Sequence, residues 1–385
     1  MSALELALQR NKYKHLSDDE WRWFLQQVEG RERTSDKLPT FAAIDDWWYP
    51  VRLSCEQCSS ELAAQYKAGL LSAISDQHSA FLDLTGGYGV DTYFISKHFE
   101  HTDYVEQNAE LCRIAKHNFS LQQGQTCISI HNCTAEEFLD SAGKYDLIFA
   151  DPARRDSHGG KVFRLEECTP NVVELLPTLL LHLTPNGHIM LKLSPMLDLT
   201  QAANALSKVN WDIHIVAIKN EVKEVLLLSQ ESGVKNQEPT ITAIDLAEPE
   251  KVFIYTRKEE QDAQCQMVNG KCENGKWLYE PNAAILKAGA YKLVGNRLGL
   301  SKLDINTHLY ASDTLVENFP GRIWRIVERP KSKIESANVI CRNYPLTPEQ
   351  LKKKLHLRDG GTDYVIGCRV NGKPTLFFAQ RIKDV

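Results

Sequence analysis

The chain has 385 residues, of which 43% are hydrophobic and 25% charged, with a net charge of −5. These proportions fit a soluble globular protein of two or three domains. No run of 18 apolar residues suggests a membrane span, and the opening "MSALELALQRNKYKHL" lacks the apolar core and cleavage site of a signal peptide.

Residues 1–78 read as a helical region. Ser17 and Glu20 form a capping box, and Trp21, Phe24, Leu25 and Val28 mark one helical face. The stretch "SCEQCSSELAAQYKAGLLSAI" reads as a further helix with Leu62, Tyr66, Leu70 and Ile74 on its apolar face. Its Cys55 and Cys58 form a C-x-x-C, but no second pair follows, so no metal is expected and the pair reads as structural. The ten cysteines are otherwise scattered, as expected of a reduced, cytoplasmic chain.

Residues 79–235 alternate between two periodicities. Strands are expected at 80–84, 103–107, 127–132, 145–152 and 188–194, then in "WDIHIVAI" and "EVLLLSQ". Helices are expected at 90–99, 109–121, 170–183 and 198–208. Such alternation predicts an α/β fold with a parallel sheet, helices on both faces and ligands at the carboxyl ends of the strands.

The stretch "SGVKNQEPT" reads as a linker. Residues 236–322 read as linker strands and a small domain, and 323–385 as a separate α+β module. There, a helix over 348–357 starts with Thr347, Pro348 and Gln350 and is expected to end at Gly360 and Gly361. A hairpin with an Asn-Gly turn follows. Residues 281–385 hold 18 Lys and Arg against 9 Asp and Glu, a net +9, whereas residues 1–280 hold 27 against 41, a net −14. A basic segment with interleaved aromatics predicts nucleic acid as a partner.

The loop "LDLTGGYGVD" (82–91) follows the first strand of the α/β region. Its glycines, Gly86, Gly87 and Gly89, permit close backbone approach to a ligand. A dinucleotide would want G-x-G-x-x-G over its pyrophosphate, and the third phosphate glycine is missing here. S-adenosylmethionine carries no phosphate, but it needs a carboxylate near its positive charges, and Asp83 precedes the loop. Glu106 closes the next strand, twenty positions after Gly86. A carboxylate there can accept from both ribose hydroxyls of either cofactor.

The fourth strand, "YDLIFADPARRD", resembles motif IV of class I S-adenosylmethionine-dependent methyltransferases, "LDLTGGYGVD" looks like their motif I, and Glu106 like their motif II acid. The resemblance covers residues 55 to about 232. It implies a Rossmann-like seven-stranded sheet whose last strand runs antiparallel. It also implies that Asp83, Gly86, Gly87 and Gly89 line the methionine end of the cofactor, Glu106 the ribose, and Asn132, Thr134 and Ala135 the adenine. Gln57, with Ser59 and Lys67, sits where many of these enzymes place an extra cofactor-contacting segment. Asp151 and the carbonyl of Pro152 would orient the methyl acceptor. Amino-methyltransferases follow this Asp-Pro with a second proline and an aromatic, whereas this chain has Ala153 and Arg154. Arg154 and Arg155 are candidates to clamp a phosphate. Cys168 is the nearest cysteine for a nucleophilic mechanism but lacks a Pro-Cys context.

Residues 323–385 look like the THUMP-like domain, and 279–313 like the small ferredoxin-like domain, of a bacterial methyltransferase family of largely undefined activity. Lys352, Lys353, Lys354 and Arg358 are the expected phosphate contacts on the helix of that module. The resemblance thus implies an RNA methyltransferase. Two alternatives stay open: a small-molecule or protein acceptor, and a non-catalytic RNA-binding protein that keeps a cofactor pocket.

Overall fold

The structure is a computed structural model that describes residues 2–72, 79–122, 127–153, 164–230, 238–268, 276–329 and 334–382. The expected linker at 232–240 lies largely outside the described residues, as do Arg154 and Arg155. Among the described residues, no helix is long and apolar enough to cross a membrane.

Nine strands form the first sheet: β1 (Ala80–Asp83), β2 (His101–Val105), β3 (Cys127–His131), β4 (Tyr145–Ala150), β5 (Leu183–Leu193), β6 (Trp211–Ile218), β7 (Glu221–Ser229), β8 (Thr240–Asp245) and β9 (Phe253–Thr256). Their order is β3-β2-β1-β4-β5-β7-β6-β8-β9. The pairings among β1 to β5 are parallel. β6 and β7 are joined by Lys219 and Asn220, both in the left-handed region (φ 52° and 64°), as in two-residue antiparallel hairpins. The seven expected strands are present, and β8, parallel to β6, and β9, antiparallel to β8, extend the sheet beyond them.

By its internal packing the chain divides into two compact units, Met1–Trp211 with Leu226–Asn236, and Asp212–Val225 with Gln237–Val385. In the first unit the strands are apolar on both faces because helices cover both. Phe81, Leu82, Leu147, Ile148, Phe149, Met190 and Leu191 are all buried. The N-terminal region belongs to this core. Leu38, Phe41, Trp47 and Tyr49 pack with Phe81, Tyr88, Tyr93 and Phe94, and each such buried side chain contributes roughly 1.5–3 kcal/mol.

The helix Asp18–Thr34 starts at the Ser17/Glu20 capping box, with both reciprocal bonds made. The single helix expected from residue 54 is instead two, Arg52–Gln57 and Glu61–Ser72, because Cys58 turns extended (ψ 161°). Its expected face is met only in part: Leu70 packs against the core and Tyr66 is half-buried, while Ile74 lies outside the described residues. Leu62 is 51% exposed, while Ala63, Ala64, Lys67, Ala68 and Leu71 face inward. Small alanines let the helix approach closely, and Lys67 turns inward because a buried carboxylate meets it there. The C-x-x-C thiols are reduced and donate to backbone, Cys55 to Pro50 O (3.4 Å) and Cys58 to Cys55 O (3.2 Å).

The second unit holds a seven-stranded sheet of β10 (Trp277–Pro281), β11 (Ser301–Asp304), β12 (Thr307–Ser312), β13 (Gly321–Val327), β14 (Asn338–Arg342), β15 (Asp363–Val370) and β16 (Lys373–Arg381). The order is β11-β12-β10-β13-β16-β15-β14, antiparallel except for β14 and β15. The expected hairpin is β15–β16, turned by Asn371 and Gly372 at φ 47° and 79°. The helix Pro348–Leu355 ends two residues before the expected point. His356 adopts the left-handed conformation (φ 55°), and Leu357 N–H reaches back to Lys352 O (3.0 Å), closing the helix before the glycines. Arg358 therefore lies off the helix that carries Lys352, Lys353 and Lys354.

Candidate active site

A cavity of about 320 Å³ opens at the carboxyl ends of β1, β2 and β4, within the size range of small-ligand sites. Gln57, Asp83, Gly86, Gly87, Gly89, Glu106, Thr134, Ala135 and Asp151 all line it. Three expected residues, Asn132, Pro152 and Lys67, do not. Asn132 instead donates to the carbonyls of Glu106 and Gln107 (2.9 and 3.0 Å), tying down the chain after β2. Pro152 is buried behind the lining. Cys168 is also buried and outside the lining.

The glycine loop is shaped by packing as much as by any ligand. A Cβ on Gly86 would stand 2.0 Å from the Tyr104 ring, and one on Gly89 2.8 Å from Phe119. Gly87 meets no such obstacle but sits at φ +57°, where side chains are strained. Tyr104 hydroxyl donates to Gly87 O (2.6 Å), and Gly87 N–H donates to Glu106 Oε2 (2.9 Å). Glu106 Oε1 accepts from Asn108 N–H (2.7 Å). Each carboxylate oxygen thus keeps a lone pair for a further donor.

Asp83 is buried under the loop. Its oxygens accept from Thr92 Oγ1 (2.6 Å) and Thr85 N–H (3.0 Å). Burial pushes its carboxyl up to about 7, against the opposing pull of these bonds. Thr134 caps the helix Ala135–Leu139 through its hydroxyl, accepting from Glu137 N–H (3.2 Å).

Asp151 is positioned from two sides. Its N–H donates to Thr85 Oγ1 (2.7 Å), which latches β4 to the glycine loop. Lys192 Nζ, from the end of β5, lies 2.5 Å from Asp151 Oδ2 and 3.8 Å from Asp91 Oδ2. Asp91 in turn takes Lys67 Nζ at 3.1 Å and Ser59 Oγ at 2.7 Å. Burial would raise the Asp91 carboxyl, but Lys67 and Lys192 outweigh it and hold it below its ordinary value. Beyond Pro152, Ala153 is bridged to Thr169 by two backbone bonds (2.7 and 3.0 Å).

Sequence reasoning gave Lys67 and Ser59 to the cofactor; Lys67 is fully buried and pairs with Asp91, whereas Ser59 bonds Asp91 and also lines the cavity. It missed Lys192 altogether. The available signal was a lysine inside the apolar strand "HIMLKLS", one position before its end. Asp91, the last residue of the stretch 82–91, carries no signal of its own in the sequence.

The donor set fits an adenosine carrying a positive charge. Glu106 offers two acceptor positions for a ribose, Val105, Leu111 and Ala135 offer apolar surface, and a buried carboxyl stands under the glycine loop. A glycine loop after β1, an acid beyond β2 and Asp-Pro beyond β4, on a sheet that begins 3-2-1-4-5-7-6, define the class I methyltransferase fold.

Comparison with known proteins leads to the same class. The crystal structure of a Porphyromonas gingivalis W83 protein assigned as a methyltransferase superposes with a TM-score of 0.83 at 31% identity, covering 96% of this chain and 92% of that one. Residues 277–320 match a ferredoxin-like domain, and 322–381 match a domain described as THUMP domain-like. Two Mycobacterium tuberculosis proteins, each described as an uncharacterised S-adenosylmethionine-dependent methyltransferase, are 23% identical over 234 residues. That alignment covers 58% of this chain and spans 60% of the length of these curated relatives. The chain belongs to the family of the Porphyromonas protein: methyltransferase-fold proteins that end in a ferredoxin-like and a THUMP-like domain.

Proposed function

We propose that the chain transfers a methyl group from S-adenosylmethionine to RNA. The observation that carries this reading is Asp151, standing at the rim of β4 across one cavity from the glycine loop and Glu106. When bound, the cofactor supplies an electrophilic methyl on a sulfonium. Glu106 takes the ribose hydroxyls on its two remaining lone pairs. Asp83 faces the positive methionine end through the loop it supports. Asp151, fixed by Thr85 and Lys192, holds the acceptor in line.

The choice of RNA rests on the second unit. Its THUMP-like match and the +9 charge of residues 281–385 favour a polyanion. Lys353 and Lys354 are exposed on their helix, while Lys352 pairs with Asp359 (2.6 Å) and Arg358 with Glu335 (2.7 Å). Exposed pairs of this kind are worth about 0–1 kcal/mol, so a phosphate can displace either carboxylate. In this reading residues 79–235 carry the transfer and residues 323–385 hold the RNA backbone.

The test is to incubate the full chain and Asp151→Ala with methyl-labelled cofactor and total RNA, tRNA or protein extract. Label in RNA, lost in the variant while calorimetry still detects S-adenosylhomocysteine, supports the proposal. Label confined to protein or small molecules refutes the RNA assignment. Binding of a nicotinamide nucleotide in place of S-adenosylhomocysteine refutes the whole.

A further inference from the structure

The carboxylate at the rim of β4 is not alone. Four side chains of alternating charge run inward from it: Asp151, Lys192, Asp91 and Lys67. Lys67 is fully buried, and Lys192 and Asp91 nearly so, with side chains 11% exposed. Such a chain costs desolvation and gives little net stability, so the fixed position of its outermost pair calls for another account.

An exocyclic amine would be poorly served here. Methylating a neutral amine builds positive charge on nitrogen, and the Lys192 ammonium already lies against one of the two oxygens that would receive the amine hydrogens. The ring that would stack on a base is missing as well. Ala153 and Arg154 follow Pro152 where a second proline and the aromatic would stand, and the Ala153 backbone is pinned to Thr169. A nucleophile that carries negative charge when it attacks has the opposite fit. The ammonium is already desolvated and aimed, and it needs no reorganisation to receive an anion.

From this geometry we propose that the methyl acceptor is a group that gives up a proton, a ring lactam N–H or a hydroxyl, with Asp151 receiving the proton and Lys192 holding the resulting anion. The inference rests on the methyltransferase reading above and specifies its substrate class. The step balances. The acceptor's X–H proton passes to the Asp151 carboxylate. The lone pair left on X forms a bond to the methyl carbon as the carbon–sulfur bond breaks, and that bond's electrons remain on sulfur as a neutral thioether. Asp151 then returns the proton to water. Lys192 exchanges one anionic partner for another during the step, and Asp91, held by Lys67 and Ser59, keeps it in place from behind.

The experiment uses the full chain, Lys192→Met and Lys192→Arg, with methyl-labelled S-adenosylmethionine and total RNA from cells lacking this protein. The RNA is digested and the methylated nucleoside identified by mass spectrometry. The expected product carries the methyl on a ring nitrogen that bore a hydrogen, or on a hydroxyl oxygen. Lys192→Met is expected to lower transfer about 10²-fold or more, and Lys192→Arg to retain most of it. S-adenosylhomocysteine affinity should be unchanged in both, and Lys192→Arg, which keeps the charge beside Asp91 and Asp151, should keep the wild-type melting temperature. A methyl on an exocyclic amine, on a carbon or on a nitrogen without a hydrogen overturns the inference. So does full activity in Lys192→Met, or equal loss in both variants accompanied by a lower melting temperature, which would mark a purely structural lysine. Absence of transfer from a chain that binds S-adenosylhomocysteine also overturns it, whereas failure to bind that compound overturns the proposed function instead.

Discussion

Replacing Gly86 with alanine separates packing from ligand binding in the glycine loop. The added Cβ would lie 2.0, 2.3 and 2.5 Å from three Tyr104 ring atoms, so the ring or the loop must move by more than an ångström. Neither yields easily. Tyr104 is fully buried, its ring meets Phe119 edge-on at 5.7 Å, and its hydroxyl bonds Gly87 O. Overpacking of this kind costs about 1–3 kcal/mol, and losing the hydroxyl bond adds about 1 kcal/mol. For a unit of this size, each kilocalorie lowers the melting temperature by roughly 2–4 °C, so a fall of about 5–15 °C is expected. Gly87→Ala, with no atom nearer than 3.7 Å, costs only the left-handed backbone, about 1–2 kcal/mol. Scanning calorimetry without cofactor measures both. In a Tyr104→Ala background the Gly86 substitution should become nearly neutral. If Gly86→Ala melts within a degree of the wild type while cofactor affinity collapses, the packing argument is wrong and the residue serves only the ligand.

The remaining predictions are shorter. Asp83 holds a proton in the folded chain up to about pH 7 that the unfolded chain releases near its ordinary value of 3.8, so its contribution to stability falls as pH rises between those values and is constant above. Urea midpoints at pH 5 and pH 8 should therefore differ more in the wild type than in Asp83→Asn, with the wild type losing stability at the higher pH. Because the cofactor's positive end favours ionised Asp83, wild-type affinity should weaken below about pH 7 and Asp83→Asn affinity should not, as titration calorimetry across pH would record. Lys67→Met leaves the Asp91 charge without its closest cation and should cost about 3–5 kcal/mol in denaturant titration, a loss that Lys67→Met/Asp91→Asn should largely recover. Lys353→Ala/Lys354→Ala should leave the melting temperature within a degree or two and flatten the dependence of RNA affinity on salt, measured by fluorescence anisotropy.

Much of the fold was legible because local chemistry and global packing agreed. The capping boxes at Ser17 and Thr347 start their helices, the Asn371-Gly372 turn makes its hairpin, and apolar runs become the interior strands. That the glycine loop, Glu106 and Asp151 share one cavity was legible because each stands at the end of a strand. What escaped was decided by tertiary partners. Periodicity placed Leu62 inside, but Asp91 draws Lys67 inward and rotates the helix. Nothing local marks His356 as the residue that leaves the helix, since a left-handed histidine is uncommon and two glycines follow soon after. Lys192 and Asp151 are 41 positions apart, and only the pairing of β4 with β5 brings them together.

The first sixty residues do not merely precede the first sheet. The Trp47 indole N–H donates to the Tyr88 hydroxyl (2.9 Å), Tyr88 donates to Trp48 O (3.3 Å), and Asn118 bonds both N–H and C=O of Trp48. Tyr88 belongs to the glycine loop itself, so the wall of the cavity is sewn to a stretch of polypeptide made some forty residues earlier. A fragment trimmed to begin at the first strand would keep every motif by which the enzyme class is recognised, yet lose the brace that gives the loop its shape.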